Sequence, residues 1–155
     1  MAQKIALTLA ATLSPISELR GGIPLGILAL GLDPMFTFFI AIVANSLLFL
    51  PIFFVLELFY DKLLSRWQLF NHYLNNVRTR GKPKVDKYGF LGLTLLVAIP
   101  LPFTGVYTAT ILSWLLGMNW KKAFPAIALG VPIAGIIVLL VTLGLIGGWE
   151  IFTAG

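Results

Sequence analysis

The sequence predicts an all-α integral membrane protein: an inverted repeat, each unit a re-entrant helical hairpin plus a transmembrane helix, with a cytoplasmic amphipathic helix between the two units. Three observations predict it. Hydrophobic residues make up 59% of the 155 and charged residues only 11%, with a mean hydropathy of +0.97. A soluble domain carries about a quarter charged residues, because its surface faces water. The apolar residues fall into four blocks, and the first and third are interrupted by proline and glycine. The basic residues are concentrated between Lys62 and Lys87, which leaves the rest of the chain almost uncharged.

The whole of residues 1–155 reads as one membrane domain, with repeat 1 over 5–60, a basic amphipathic linker over 61–87 and repeat 2 over 88–148. The start, Met1 to Pro15, carries Lys4 and a short apolar run that faintly resembles a signal peptide; the apolar sequence that follows favours reading it as part of the mature fold. The first block, Ile5 to Leu32, is broken by the run Ser14-Pro15-Ile16-Ser17-Glu18-Leu19-Arg20-Gly21-Gly22-Ile23-Pro24. Proline removes a helical hydrogen bond and glycine frees the backbone to turn, so a continuous helix is not expected there. Each half would reach only about 20 Å at 1.5 Å per residue, short of the roughly 30 Å hydrocarbon core. A hairpin that enters and leaves on one side fits these lengths.

The second block, Met35 to Tyr60, is long enough for a tilted span, which needs about 20 residues. In the linker, Leu63, Trp67, Phe70, Leu74 and Val77 recur every three or four residues among Lys62, Arg66 and Arg78, the pattern of a basic amphipathic helix lying on a membrane surface or capping the bundle. Gly81-Lys82-Pro83-Lys84 is expected to end it as a turn. The third block, Tyr88 to Met118, is broken at Ile99-Pro100-Leu101-Pro102-Phe103-Thr104-Gly105, and the fourth, Ala123 to Ile146, is a second span. Lys121 and Lys122 test the hairpins. Two hairpins put both lysines on the same side as the 62–87 stretch, in keeping with the positive-inside tendency, whereas four simple crossings separate them. Both termini would then lie outside. A weak internal repeat at an offset of about 85 residues, with Pro15 answering Pro100 and Phe39 answering Phe124, agrees with two inverted units of the kind transporters use.

With no cysteine and one histidine, His72, disulfides and thiolate or histidine-rich metal sites are excluded, and no metal or other cofactor is expected. The net charge of +5 in so apolar a chain points to a cytoplasmic face opposite anionic lipid rather than to nucleic acid. No GxSxG, Walker loop or paired-carboxylate cleft is present, so the chain is not expected to be an enzyme and no residue is assigned a catalytic role.

Glu18 and Arg20 are the sharpest candidates, since a charge at membrane depth costs at least about 2.5–3.5 kcal/mol and usually has a partner or a task. The two could pair with each other as a structural tie. Alternatively, Arg20 offers a planar fork for phosphate or carboxylate, and Glu18 could take up a proton and couple it to transport. Gly21, Gly22 and Pro24 in the first break, and Pro100, Pro102, Thr104 and Gly105 in the second, could start half-helices whose free N–H groups point into a cavity and favour an anion; they could equally do no more than turn the chain. Asn45 and Ser46 in the second block could hydrogen-bond another helix or touch substrate. Gly130, Ala134 and Gly135, with Pro125 and Pro132, look like a close-packing, kinked face. Trp114, Trp120, Tyr60 and Tyr88 sit where interfacial anchors would.

Pro15-Ile16-Ser17-Glu18, followed by Pro24 and Gly31, resembles the first re-entrant motif of the DedA/VTT (SNARE-associated) membrane superfamily, and Pro100-Leu101-Pro102-Phe103-Thr104-Gly105, followed by Gly117-Met118 and Phe124, resembles its second. The Glu-Leu-Arg-Gly-Gly-Ile-Pro run and the short chain are closer to the relatives named small multi-drug export proteins. The superfamily resemblance implies two opposed hairpins around a central cavity, a homodimer in a prokaryotic plasma membrane, and movement of a lipid-linked phosphate such as a polyprenyl phosphate. On that reading Glu18 matches the acidic residue of the first motif. The arginines that follow the second-motif glycine are absent, with Val106, Tyr107 and Thr108 in their place. The expected function is therefore a flippase-like transporter of an amphipathic anion, with possible proton or ion coupling. A small-molecule drug exporter and a non-transporting membrane scaffold are the alternatives.

Overall fold

The computed structural model describes residues 1–101 and 104–153, without the side chains of Leu64 and residues 145–153. Among the described residues every regular element is helical: α1 (Ala2–Leu13), α2 (Glu18–Pro24), α3 (Pro34–Leu47), α4 (Phe49–Lys62), α5 (Gln68–Ala98), α6 (Val106–Leu115) and α7 (Trp120–Thr153). Two stretches are long and apolar enough to cross a membrane, Pro34–Lys62 and Trp120–Gly144. These are the two spans expected at Met35–Tyr60 and Ala123–Ile146. Asp33 caps the first by accepting from Phe36 N at 2.8 Å, and Pro34 opens the helix where its missing N–H costs nothing. Leu48 divides α3 from α4 without leaving the helical region of the backbone. Pro51, one turn on, leaves the Leu47 carbonyl without its usual donor, which accounts for the irregularity.

α1 and α2 pack antiparallel, and small residues set how closely. A Cβ on Gly22 would overlap the Thr12 side chain, and one on Gly26 would come within 2.6 Å of Thr37 Cγ2 and 3.0 Å of Thr8. The first break is therefore shorter than expected. Only Ser14 to Ser17 turn, and Gly21, Gly22 and Pro24 lie inside or at the end of α2 rather than opening a half-helix. The glycines are there because α1 passes against them. Past Pro24 the helix widens into a π-helical turn over Leu25–Ala29, closed by Leu30 N donating to Leu25 O at 3.1 Å.

The turn expected at Gly81–Lys84 is not formed. α5 runs unbroken from Gln68 to Ala98 with Pro83 inside it. The glycines again answer to packing: a Cβ on Gly81 would stand 3.0 Å from Leu116 Cδ2, and one on Gly89 would stand 3.5 Å from Met118 Sδ, where the end of α6 crosses. Tertiary contact on one face outweighs the local preference for a turn. The amphipathic face divides in two: Leu74 is fully buried and Phe70 packs on the core, while Leu63, Trp67 and Leu69 are exposed. A polar clasp makes the preceding corner, with Tyr60 hydroxyl donating to Asn71 Oδ1, Asn71 Nδ2 to Ser65 O and Ser65 Oγ to Asp61 O.

The second half of α5 and α6 form the other helix pair. α5 leads away from its basic end, the chain turns between Ile99 and Gly105, and α6 returns to bring Leu116 against Gly81 and Gly117 against Arg78. α7 is the centre of the molecule and packs on α2, α3, α5 and α6. Gly130 lets α5 approach, its position lying 2.7 Å from Thr94 O for an added Cβ, and Thr94 Oγ1 donates to Ala126 O at 2.9 Å. Gly135 does the same for Phe38 and Ile42 of α3. Gly130 and Gly135 thus serve close packing on two sides of α7, toward α5 and α3, rather than on the single face read from the sequence, and Pro125 and Pro132 sit within an unbroken helix.

Candidate functional site

The two interrupted helix pairs meet tip to tip at Glu18. Its φ of 45° is the one positive value among the described non-glycine residues, a conformation that costs of order 1–3 kcal/mol and persists where surroundings enforce it. Glu18 N donates to Ser14 O at 3.0 Å, closing the turn, and the side chain is carried across to the other pair. There Oε2 accepts from Val106 N at 3.2 Å and Oε1 from Tyr107 N at 3.4 Å. Glu18 is 6% exposed and is the only ionisable side chain among the described residues to be buried.

Gly105 makes this contact possible. Its φ is +152°, and a Cβ there would come within 2.8 Å of Glu18 Cδ and closer still to Oε2. Any side chain would push the carboxylate off the start of α6. Gly105 thus caps α6, as the second break suggested, and the free N–H groups do point at an anion. That anion is the chain's own Glu18. The positive end of α6 is neutralised internally, and a helix start with free N–H groups is a ready partner for a carboxylate.

Arg20 does not need Glu18 as its contact: Nη2 donates to Thr104 O at 3.3 Å, a second bridge between the tips. Thr104 also holds its own turn, its hydroxyl donating to Ile99 O at 2.6 Å and accepting from Leu101 N at 3.0 Å. Pro100 lines the same junction, Pro102 lies outside the described residues, and Gly21 faces Ser17. Gly22 and Pro24 are set back in the α1–α2 packing and do not reach the junction.

Two spaces border Glu18. A narrow one of about 10 Å3 lies between Glu18, Asn45, Val97, Pro100, Ala134 and Val138. That is room for roughly one water and for no substrate. An open cleft of about 480 Å3 lies on the other side, walled by Pro15, Ser17, Arg20, Thr104, Tyr107 and Thr108. Glu18, Arg20 and Thr104 touch both. The narrow space lies within the length of the first apolar stretch: Asn45 stands about 16 Å along the helix from Pro34 and about 26 Å from Lys62 at 1.5 Å per residue.

Two residues of the junction carry more than the sequence suggested. Asn45 is 1% exposed, lies against Glu18, and its Oδ1 has no partner. Tyr107 gives its N–H to Glu18 and its hydroxyl to Leu13 O at 2.6 Å, fastening α6 to the end of α1. The signal for Tyr107 was its place after Gly105, where any residue offers a free N–H; the side-chain bond had none. Trp114 also differs from its expected role. It is buried at 8% exposure, edge-on to Tyr60, and holds the Arg78 guanidinium 5.6 Å from its ring, so it is a packing partner rather than an interfacial anchor. Tyr88 and Trp120 are exposed at 57% and 37%, as anchors would be.

A helical bundle with two long apolar stretches able to cross a membrane, and a carboxylate buried where its helix tips meet, is the frame of an integral membrane protein. The chain belongs to the family described as "Putative small multi-drug export protein", which matches residues 18–137 and so begins at Glu18 itself. No curated protein and no solved structure matches it.

Proposed function

We propose that the chain exports small amphipathic molecules and that Glu18 is the latch coupling substrate or proton binding to opening between the two tips. The observation that carries this is the position of the carboxylate. It is buried, held by backbone N–H groups of the opposite helix pair, and set between a wide cleft and a narrow mid-depth space too small for a substrate. Neutralising Glu18, by a proton or by a cationic substrate in the cleft, weakens its bonds to Val106 and Tyr107, because charge-assisted bonds are the stronger ones. With that tie loosened, Arg20 to Thr104 and Tyr107 to Leu13 remain, and the narrow space can widen into the cleft.

On this reading the two helix pairs are opposed re-entrant hairpins in inverted repeats. Support comes from the way α6 returns to the basic end of α5, and from Lys122 standing at that end with Arg78, Lys82 and Lys87. The positive-inside tendency then places this end in the cytoplasm.

Efflux of ethidium from proteoliposomes tests the reading. Glu18→Gln keeps an acceptor but not the charge and is expected to cut efflux at least about tenfold, the size of effect that a loss of about 1.4 kcal/mol gives. Arg20→Ala is expected to slow it less. Efflux unchanged by Glu18→Gln would sink the latch.

A second reading, movement of an amphipathic anion such as a lipid phosphate, is favoured by one observation. Arg20 gives Thr104 O one hydrogen bond and is among the residues that line the wide cleft, the one cationic side chain there among the described residues. Loss of lipid-phosphate flipping in Arg20→Ala, with ethidium efflux intact, would favour it.

A further inference from the structure

The basic end carries a second concavity, distant from Glu18 and independent of its role. Between α5 and the turn from α6 into α7 lies a cleft of about 730 Å3 lined by Arg78, Lys82, Lys87, Asn119 and Lys122, with Asp86 as its one acidic side chain. Four cationic groups thus face one carboxylate. Arg78 is held in place: Nη2 donates to Trp114 O at 3.2 Å, the guanidinium stands 5.8 Å from the Tyr60 ring and 5.6 Å from the Trp114 ring, and Nε is buried with no partner. A guanidinium fixed in this way at the edge of the cleft is suited to a phosphate.

The cleft does not end in solvent. It shares Val85, Leu116 and Met118 with an apolar groove of about 330 Å3 that continues up the α5–α6 pair past Tyr88, Leu93, Leu96 and Leu112. Glycine makes the groove's floor: Gly92 has no neighbouring atom within 4 Å of where a Cβ would stand. The passage from charge to hydrocarbon occurs at the level of exposed Tyr88, with Lys87 Nζ 5.1 Å from its ring, and of Trp120, with Lys121 Nζ 5.9 Å from its ring. Aromatic residues flanked by lysines mark the headgroup level of a bilayer.

We propose that this continuous slot binds one anionic phospholipid, its phosphate among Arg78, Lys82 and Lys122 and one acyl chain along the Gly92 groove. The order of charge then apolar surface matches the order of a phospholipid at that depth, and a soluble anion would use only half the slot.

Native mass spectrometry of the full chain in detergent tests this, with phosphatidylglycerol and phosphatidylcholine of identical acyl chains competing at equal concentration. Wild type is expected to retain phosphatidylglycerol preferentially. Lys82→Ala with Lys122→Ala is expected to lower that preference by about fivefold per lysine, the factor for about 1 kcal/mol at a membrane surface. Removing the same charge outside the cleft, with Lys62→Ala and Arg66→Ala, should leave the preference in place. Gly92→Leu, whose Cβ meets nothing within 4 Å, puts a side chain into the groove and should weaken retention of both lipids. Millimolar glycerol phosphate should not displace the bound lipid. Equal loss in the two charge variants would overturn the site in favour of a diffuse basic surface. Displacement by glycerol phosphate, or indifference to Gly92→Leu, would overturn the lipid as its occupant.

Discussion

Glu18 and Gly105 are a matched pair, each in an unusual conformation for the sake of the other. The glutamate takes a left-handed backbone to turn its side chain across the junction, and the glycine takes one to leave that side chain room. Gly105→Ala is expected to destabilise the protein by about 1–3 kcal/mol, read as a lower melting temperature in detergent. The cost should shrink in a Glu18→Ala background, where the overlapping carboxylate is gone. Strictly additive effects would mean that the two do not act on each other. The sequence showed that Glu18 mattered, because a carboxylate in so apolar a block needs an explanation. It did not show the partner. Pairing with Arg20 was the nearer expectation, since the two are close in sequence, but the backbone N–H groups of Val106 and Tyr107 carry no side-chain signature. Asn45 was visible as a polar residue within a span, and its placement against Glu18 depends on how α3 crosses the tips.

Among elements, those governed by a long-range property were the legible ones. Apolar length and flanking caps marked Pro34–Lys62 and Trp120–Gly144 closely. Proline and glycine were less informative, because each has two uses. At Gly105 glycine permits a turn; at Gly22, Gly26, Gly81 and Gly130 it permits another helix to come close. A single sequence does not separate these, and so Gly81-Lys82-Pro83-Lys84 read as a turn where α5 is continuous. The continuity has a direct consequence. Spin labels on Asn75→Cys and Leu91→Cys, clean in a chain without cysteine, should give one narrow distance near about 24 Å between backbone positions, from sixteen steps of 1.5 Å. A turn at Pro83 would bring the labels closer and broaden the distribution.

At the scale of the whole molecule, the sequence order of broken block followed by span is matched by two helix pairs whose tips meet at the mid-depth of α3 and α7. Membrane residence was readable from composition, because a chain with 11% charged residues has too few to cover a water-facing surface. Lys122 gathers with Arg78, Lys82 and Lys87 at one end, the arrangement that the proposed hairpins require. What composition could not convey is that the junction is shut. Glu18, Arg20 and Tyr107 each bond across it, and the space behind them admits no substrate. On the proposed function, export requires the tips to part. Ile16 and Thr108 stand on opposite tips, both exposed, one on each wall of the open cleft. Spin labels at Ile16→Cys and Thr108→Cys, in lipid, should report a single short distance in the otherwise native chain. Glu18→Gln should add or shift to a longer one, as the tie to α6 is lost. An unchanged distance distribution in Glu18→Gln, alongside lost efflux, would contradict the claim that Glu18 holds the two halves together.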